Sequence, residues 1–166
     1  MKLKIEIIMR TIFFTMLLLA SVFNGYSQII TERQIEIGGL TLRQAYSVNQ
    51  VTSIMGTPQS YAHEFDVCDE HKFVYDDNVF YICDGVFVGF KLVNNRYKLN
   101  GVVGVGDTFN EIHLLNPFNI ISTARDNGIT IHEVFITNKI DDMSPIYFRV
   151  RNGAVFEISY LYVDDV

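Results

Sequence analysis

No G-x-S-x-G elbow, no H-E-x-x-H helix and no G-x4-G-K-[ST] loop occurs in the 166 residues. Those patterns carry a serine nucleophile, a zinc-bound water and a nucleotide phosphate respectively. Without them the chain reads as a protein that is not an enzyme and takes no cofactor. Gly101-x-x-Gly104-x-Gly106 is not the dinucleotide fingerprint and lacks its βαβ setting, so it reads as a flexible seam. Positive charge is also scarce, at 13 Lys and Arg against 19 Asp and Glu. Nucleic-acid binders set basic surface against phosphate, which excludes that class of partner. Long apolar runs are missing except at the start. There Ile12–Ala20 falls short of the ~20 residues that cross a bilayer.

That run has its own meaning. Lys2, Lys4 and Arg10 precede it, and Asn24-Gly25-Tyr26-Ser27-Gln28 follows. Basic start, apolar middle and small residues at −3 and −1 of a cut after Ser27 are the order of a secretory signal. Residues 1–27 are therefore expected to be removed, leaving a chain with no transmembrane span in the periplasm or outside the cell. Cleavage removes three basic residues and one acidic residue. It leaves 10 Lys and Arg against 18 Asp and Glu, a net charge of −8, which keeps an exported protein soluble.

Two cysteines remain, Cys68 and Cys83. In an oxidising compartment an even count reads as one disulfide. Two buried thiols or half of a metal site are the alternatives. A bridge there would close a loop of about 15 residues, worth ~3 kcal/mol in the chain-entropy model.

The rest of the chain looks duplicated. Ser47-Val48-Asn49-Gln50 and Thr108-Phe109-Asn110-Glu111 both fit the capping box that opens a helix. Gly56 with Pro58, and Asn116 with Pro117, supply the stops. Each short helix is followed by a hairpin signature: Phe80 to Phe90 about Asp84-Gly85, and Phe148 to Ile158 about Asn152-Gly153. Asp-Gly or Asn-Gly between apolar runs is a strong hairpin signal. Further strands are expected at Lys72–Asp76 and Ile129–Thr137. The expected fold is α+β, with two tandem repeats at 28–100 and 101–166. Each would pack short helices on an antiparallel sheet of about three to four strands.

A three-residue loop at each hairpin sorts the side chains by polarity. It sets Phe80, Ile82, Val86, Val88, Phe90 and Leu92 on one face of the first hairpin. In the second it sets Phe148, Val150, Phe156, Ile158 and Tyr160 together. The opposite face then presents Tyr81, Phe87, Lys91, Tyr147, Arg149 and Glu157. Tyr, Phe and Arg are the types that dominate binding hot spots. This face is the expected contact surface for another envelope or extracellular protein. Ordinary cross-strand pairing on a solvated sheet is the plainer reading of the same residues.

One segment stands apart. His63-Glu64-Phe65-Asp66-Val67-Cys68-Asp69-Glu70-His71 holds two His, four carboxylates and a thiol in nine residues. Such side chains hold zinc when geometry permits, with His63 and His71 as ligands. An acidic solvated loop pinned by Cys68 is the simpler expectation, because C-x2-C spacing is missing. His113 and His132 lie in apolar-periodic stretches and read as structural, and Asp76-Asp77-Asn78 reads as a turn.

The helix with Gly-x-Pro at Ser47–Pro58, the Cys68/Cys83 pair and the Asp/Asn-Gly hairpins resemble the tandem repeat of the β-lactamase inhibitor proteins. They are also similar to the single unit of the SmpA/OmlA outer-membrane assembly lipoproteins. The inhibitor resemblance implies a disulfide after the helices and a sheet face with a hairpin loop that engages an enzyme. Cys68 and Cys83 match that pair, and Asp84 falls near that loop. The second unit has no cysteines, and no lipidation cysteine stands at the cut.

Overall fold

Five dipeptides build most of this structure: Gly38-Gly39, Asp76-Asp77, Asp84-Gly85, Asn127-Gly128 and Asn152-Gly153. Both residues of each lie in left-handed backbone, with φ between 47° and 85°. That is the geometry of a two-residue turn whose twist matches the strands on either side. Gly reaches it without strain and Asn or Asp at small cost. The computed structural model describes residues 35–108, 119–135 and 145–161.

A small hairpin comes first, β1 (Glu36–Ile37) and β2 (Leu40–Thr41). Helix α1 (Val48–Met55) follows, opened by the expected capping box. Gln50 N donates to Ser47 Oγ at 3.3 Å, and Ser47 N donates to Gln50 Oε1 at 2.8 Å. Gly56 at φ 87° ends it. Four strands then run as a meander: β3 (Ser60–Phe65), β4 (Asp69–Tyr75), β5 (Asn78–Cys83) and β6 (Val86–Leu92). A second small hairpin pairs β7 (Lys98–Leu99) with β8 (Val103–Gly104). The second meander is β9 (Asn119–Asp126), β10 (Ile129–Phe135), β11 (Ile146–Arg151) and β12 (Ala154–Leu161).

The meanders do not form separate sheets. Strand β6 pairs antiparallel with β12, setting Leu92 opposite Ile158 and Phe90 opposite Tyr160. One eight-stranded antiparallel sheet results, in the order β3-β4-β5-β6-β12-β11-β10-β9. This overturns the expected α+β pair of repeats with short helices. The described residues are mostly strand, with a single helix. The physical reason lies at the junction, where Phe90, Leu92, Ile158 and Tyr160 are all essentially inaccessible to solvent. Joining the two free edges buries these side chains and removes two aggregation-prone strand borders. The second expected helix, after Thr108, lies outside the described residues. Thr108 itself bridges to Ala154.

The register also differs from expectation. Cys83 pairs with Val86, and Arg151 with Ala154, so both turns have two residues rather than three. A bulge one pair further along restores the apolar face. Ile82 opposes Phe87 while Tyr81 opposes Gly89, leaving Val88 extra. Val150 opposes Val155 while Arg149 opposes Glu157, leaving Phe156 extra. A bulge reverses which side chains point inward beyond it. Phe87 is therefore a fully buried core residue, not part of the open face. Val86 and Phe156 are half-buried rather than core, and Val155 takes the inward place.

The core lies on one side of the sheet. Phe73, Tyr75, Phe80, Ile82, Phe87 and Phe90 pack with Ile35, Ile37, Leu40, Leu42 and Val51. Tyr75 Oη donates to Gly56 O at 3.0 Å, fastening β4 to the end of α1. At the β4–β5 turn, fully buried Asn78 accepts from Val93 N at 2.9 Å and donates to Tyr75 O at 3.1 Å and Asn94 Oδ1 at 2.8 Å. Asp76-Asp77 is the turn there, and Asn78 starts the next strand. The glycine-rich seam expected between repeats forms the β7–β8 hairpin. Val103 and Gly104 are buried, and Asp107 Oδ2 accepts from Gly104 N at 2.8 Å and pairs with Lys98 at 3.0 Å.

Candidate functional site

Two places gather polar and aromatic side chains, one on the open face of the sheet and one at its β3 edge. The first follows from strand alternation, which turns Lys72, Tyr81, Lys91, Tyr147, Arg149 and Glu157 away from the core. Register places them in a band: Lys72 opposite Tyr81, Lys91 opposite Ser159, and Arg149 opposite Glu157. Glu157 is at the centre. It pairs with Lys91 Nζ at 3.0 Å and with the Arg149 guanidinium, which also donates to Ser159 Oγ at 3.1 Å. The Lys91–Glu157 pair crosses the junction between the meanders and Arg149–Glu157 joins β11 to β12, so together they brace β6, β12 and β11 from the open side.

Cations on this face sit over rings. Lys72 Nζ lies 5.9 Å from the Tyr81 ring, Arg149 5.8 Å from Tyr147, and Arg151 4.8 Å from Phe156. Such contacts are worth about 0.5–1 kcal/mol each when exposed, and they hold the long side chains in fixed poses. Five of the six residues expected on this face, Tyr81, Lys91, Tyr147, Arg149 and Glu157, are brought together there. Phe87 is not. Sequence reasoning does not find Lys72 or the Arg151–Phe156 pair. The bulge at Phe156 produces that pair, and no local motif announces it.

The second place is built by the β3–β4 hairpin. The segment expected as an acidic loop is two paired strands, with Phe65 opposite Asp69, Glu64 opposite Glu70 and His63 directly opposite His71. The signal that could have found the pairing is in the layout, because His63 and His71 stand symmetrically about Val67. The two imidazoles stack with centroids 4.4 Å apart. Asp69 bridges them, its Oδ1 2.5 Å from His63 Nε2 and its Oδ2 3.5 Å from His71 Nε2. The His63 hydrogen bond holds the Asp69 carboxyl below its ordinary value, keeping it ionised. On the far side of His71, Nδ1 lies 2.7 Å from Tyr61 Oη.

Two features fix Asp69. Its N–H donates to Asp84 Oδ1 at 3.1 Å, and Asp84 N–H donates to Asp69 O at 3.1 Å. Beside it, Cys68 and Cys83 form the expected disulfide, with Cα atoms 5.8 Å apart. The Asp84 carboxylate is thus engaged with its own hairpin neighbour. His132 is buried, with Nδ1 3.0 Å from Thr123 Oγ1. His113 and the signal-like residues 1–27 lie outside the described residues. Among the described residues no helix is long and apolar enough to cross a membrane.

No family model matches the chain, and no curated protein matches it. A solved structure of an extracellular protein containing an SCP domain, from Bacillus anthracis str. Ames, aligns at 10% identity with a TM-score of 0.43. The alignment covers 75% of this chain and 44% of that one, so this chain spans less than half the neighbour's length. At that level neither shared fold nor shared function follows.

Proposed function

We propose that this chain is a non-enzymatic binding protein of the periplasm or cell exterior that engages another protein through the open face of its sheet. The observation that carries the reading is the row of cation–ring pairs at Lys72–Tyr81, Arg149–Tyr147 and Arg151–Phe156. A free sheet face needs only solubility, which isolated Lys and Glu supply. Rigid aromatic groups with attached cations instead offer contact area at low entropic cost. Against an exported chain of net charge −8, a face with Lys72 and Arg151, beside Lys91 and Arg149 that share Glu157, suits a partner surface that carries carboxylates. The Cys68–Cys83 bridge supports work in an oxidising compartment.

Substituting Tyr81→Ala together with Tyr147→Ala tests the reading. Both rings are half-buried on the solvated side, so the double variant is expected to lose no more than about 2 kcal/mol of stability. Capture of the partner from an envelope extract of the producing cells should fall to background. Retention of the same partner at wild-type level by the folded variant would place the contact elsewhere.

A further inference from the structure

The cluster at the sheet edge has no part in the open-face reading and stands independently of it. We infer that His63, Asp69 and His71 form a binding site for a late first-row divalent metal ion, with zinc as the natural probe. Each offers one ligand atom, and the three atoms lie within 4.8 Å of one another. Two imidazole nitrogens and a carboxylate oxygen are a donor set that zinc and its neighbours take readily. A tetrahedral zinc with ordinary bond lengths spaces its ligand atoms by roughly 3.3 Å. The widest donor separation must therefore close by up to about 1.5 Å while the 2.5 Å His63–Asp69 pair opens, and the His63 and Asp69 side chains, 39% and 37% exposed, have room to adjust.

Three observations distinguish this arrangement from a casual ion pair. First, strand register sets the two histidines directly opposite each other, where their side chains share a face. Second, Tyr61 Oη lies 2.7 Å from His71 Nδ1, so the ring is held through that nitrogen and Nε2 is placed on the Asp69 side. Ligating histidines are commonly oriented through their second nitrogen in this way. Third, the Asp69 backbone is held from behind by Asp84 and by the disulfide at Cys68, while its carboxylate stays free to adjust. The imidazoles stack at 4.4 Å, and one carboxylate lies between the two Nε2 atoms. A divalent ion satisfies both nitrogens and the carboxylate together. Three protein ligands leave a fourth position for water, open at the edge beside the exposed Phe65.

The test titrates zinc, and cobalt(II) as its coloured substitute, into the purified, disulfide-bonded chain. One zinc per chain is expected, with cobalt giving the visible absorption of a nitrogen- and oxygen-ligated tetrahedral site. His63→Ala with His71→Ala should weaken zinc by more than about 100-fold. Tyr61→Phe, which removes only the orienting contact, should cost about tenfold. Glu64→Gln should bind as the parent does, since Glu64 points to the opposite face of its strand. Zinc-dependent NMR shifts confined to the imidazoles of His63 and His71 locate the ion without any substitution. The inference is overturned if zinc does not bind, if affinity survives loss of both histidines, or if the shifts fall on His113 and His132.

Discussion

Phe87→Ala is expected to remove about 3–5 kcal/mol of stability, the cost of deleting a fully buried phenylalanine. For a chain of this length that lowers Tm by on the order of 10 °C. The Phe87 ring is inaccessible to solvent and lies 6.1 Å from the Phe80 ring and 6.4 Å from Phe90. Its backbone is engaged as well, donating N–H to Gln44 O at 3.0 Å and accepting from Arg43 N at 2.8 Å. Val86→Ala, one residue earlier and half-buried, is expected to cost under about 1 kcal/mol. The pair of variants measures register directly. A three-residue loop at Asp84-Gly85 would put Val86 in the core and Phe87 outside, so the two costs would exchange. Urea unfolding with unchanged m-values is the appropriate measurement, because it separates lost stability from a changed denatured state.

That register marks the boundary of what is legible in the sequence. The hairpin positions are readable, because Asp-Gly and Asn-Gly signal themselves locally. So is α1, because Ser47 and Gln50 close a complete capping box. Asn127-Gly128 carries the same hairpin signal as Asn152-Gly153 and joins β9 to β10, a turn that the expectation of a lone strand after it leaves unused. Turn length is misread for a specific reason. Unbroken alternation with a two-residue turn sets Arg149 opposite Phe156, which is unfavourable, so the longer loop looks necessary. The chain resolves the conflict differently, keeping the tight turn and inserting Phe156 as a bulge. Alternation rules cannot anticipate a bulge whose benefit depends on packing against the opposite layer.

Pairing of β6 with β12 is illegible for another reason. Both strands read as the last strand of a finished unit, and nothing local distinguishes a free edge from a paired one. The decision rests on side chains far apart in sequence, Leu92 with Ile158 and Phe90 with Tyr160. The open face survives the register error because the change is confined to the residues between turn and bulge, Val86 and Phe87 in one hairpin and Ala154, Val155 and Phe156 in the other. Tyr147, Arg149, Glu157, Tyr81 and Lys91 keep their orientation. At the other site the ligand types are visible in His63–His71, but the segment reads as a loop. Its strands carry polar residues on both faces, so they show no period-2 hydrophobic pattern. Their pairing follows from the hairpin they belong to, and the disulfide ties its turn at Cys68 to the end of β5 at Cys83.

Loss of that disulfide is the second large effect expected. Cys68→Ser with Cys83→Ser should destabilise the chain by about 3 kcal/mol, the loop-closure entropy of a separation of 15 residues. For this length that lowers Tm by roughly 6–12 °C. The bridge spans the open end of the β4–β5 ladder, where Glu70 pairs with Cys83, and acts mainly by restricting the unfolded chain. A reductant should therefore lower the Tm of the parent by the same amount and leave the double variant unmoved. Equal Tm in the oxidised and reduced parent would refute the constraint. A local consequence accompanies the global one. Asp69 N–H and Asp84 N–H bond across the hairpin next to the bridge, so their hydrogen exchange should accelerate in the double variant more than that of Phe90 at the sheet centre. Because Asp69 is also the carboxylate between His63 and His71, the same variant should bind zinc more weakly while both histidines remain in place.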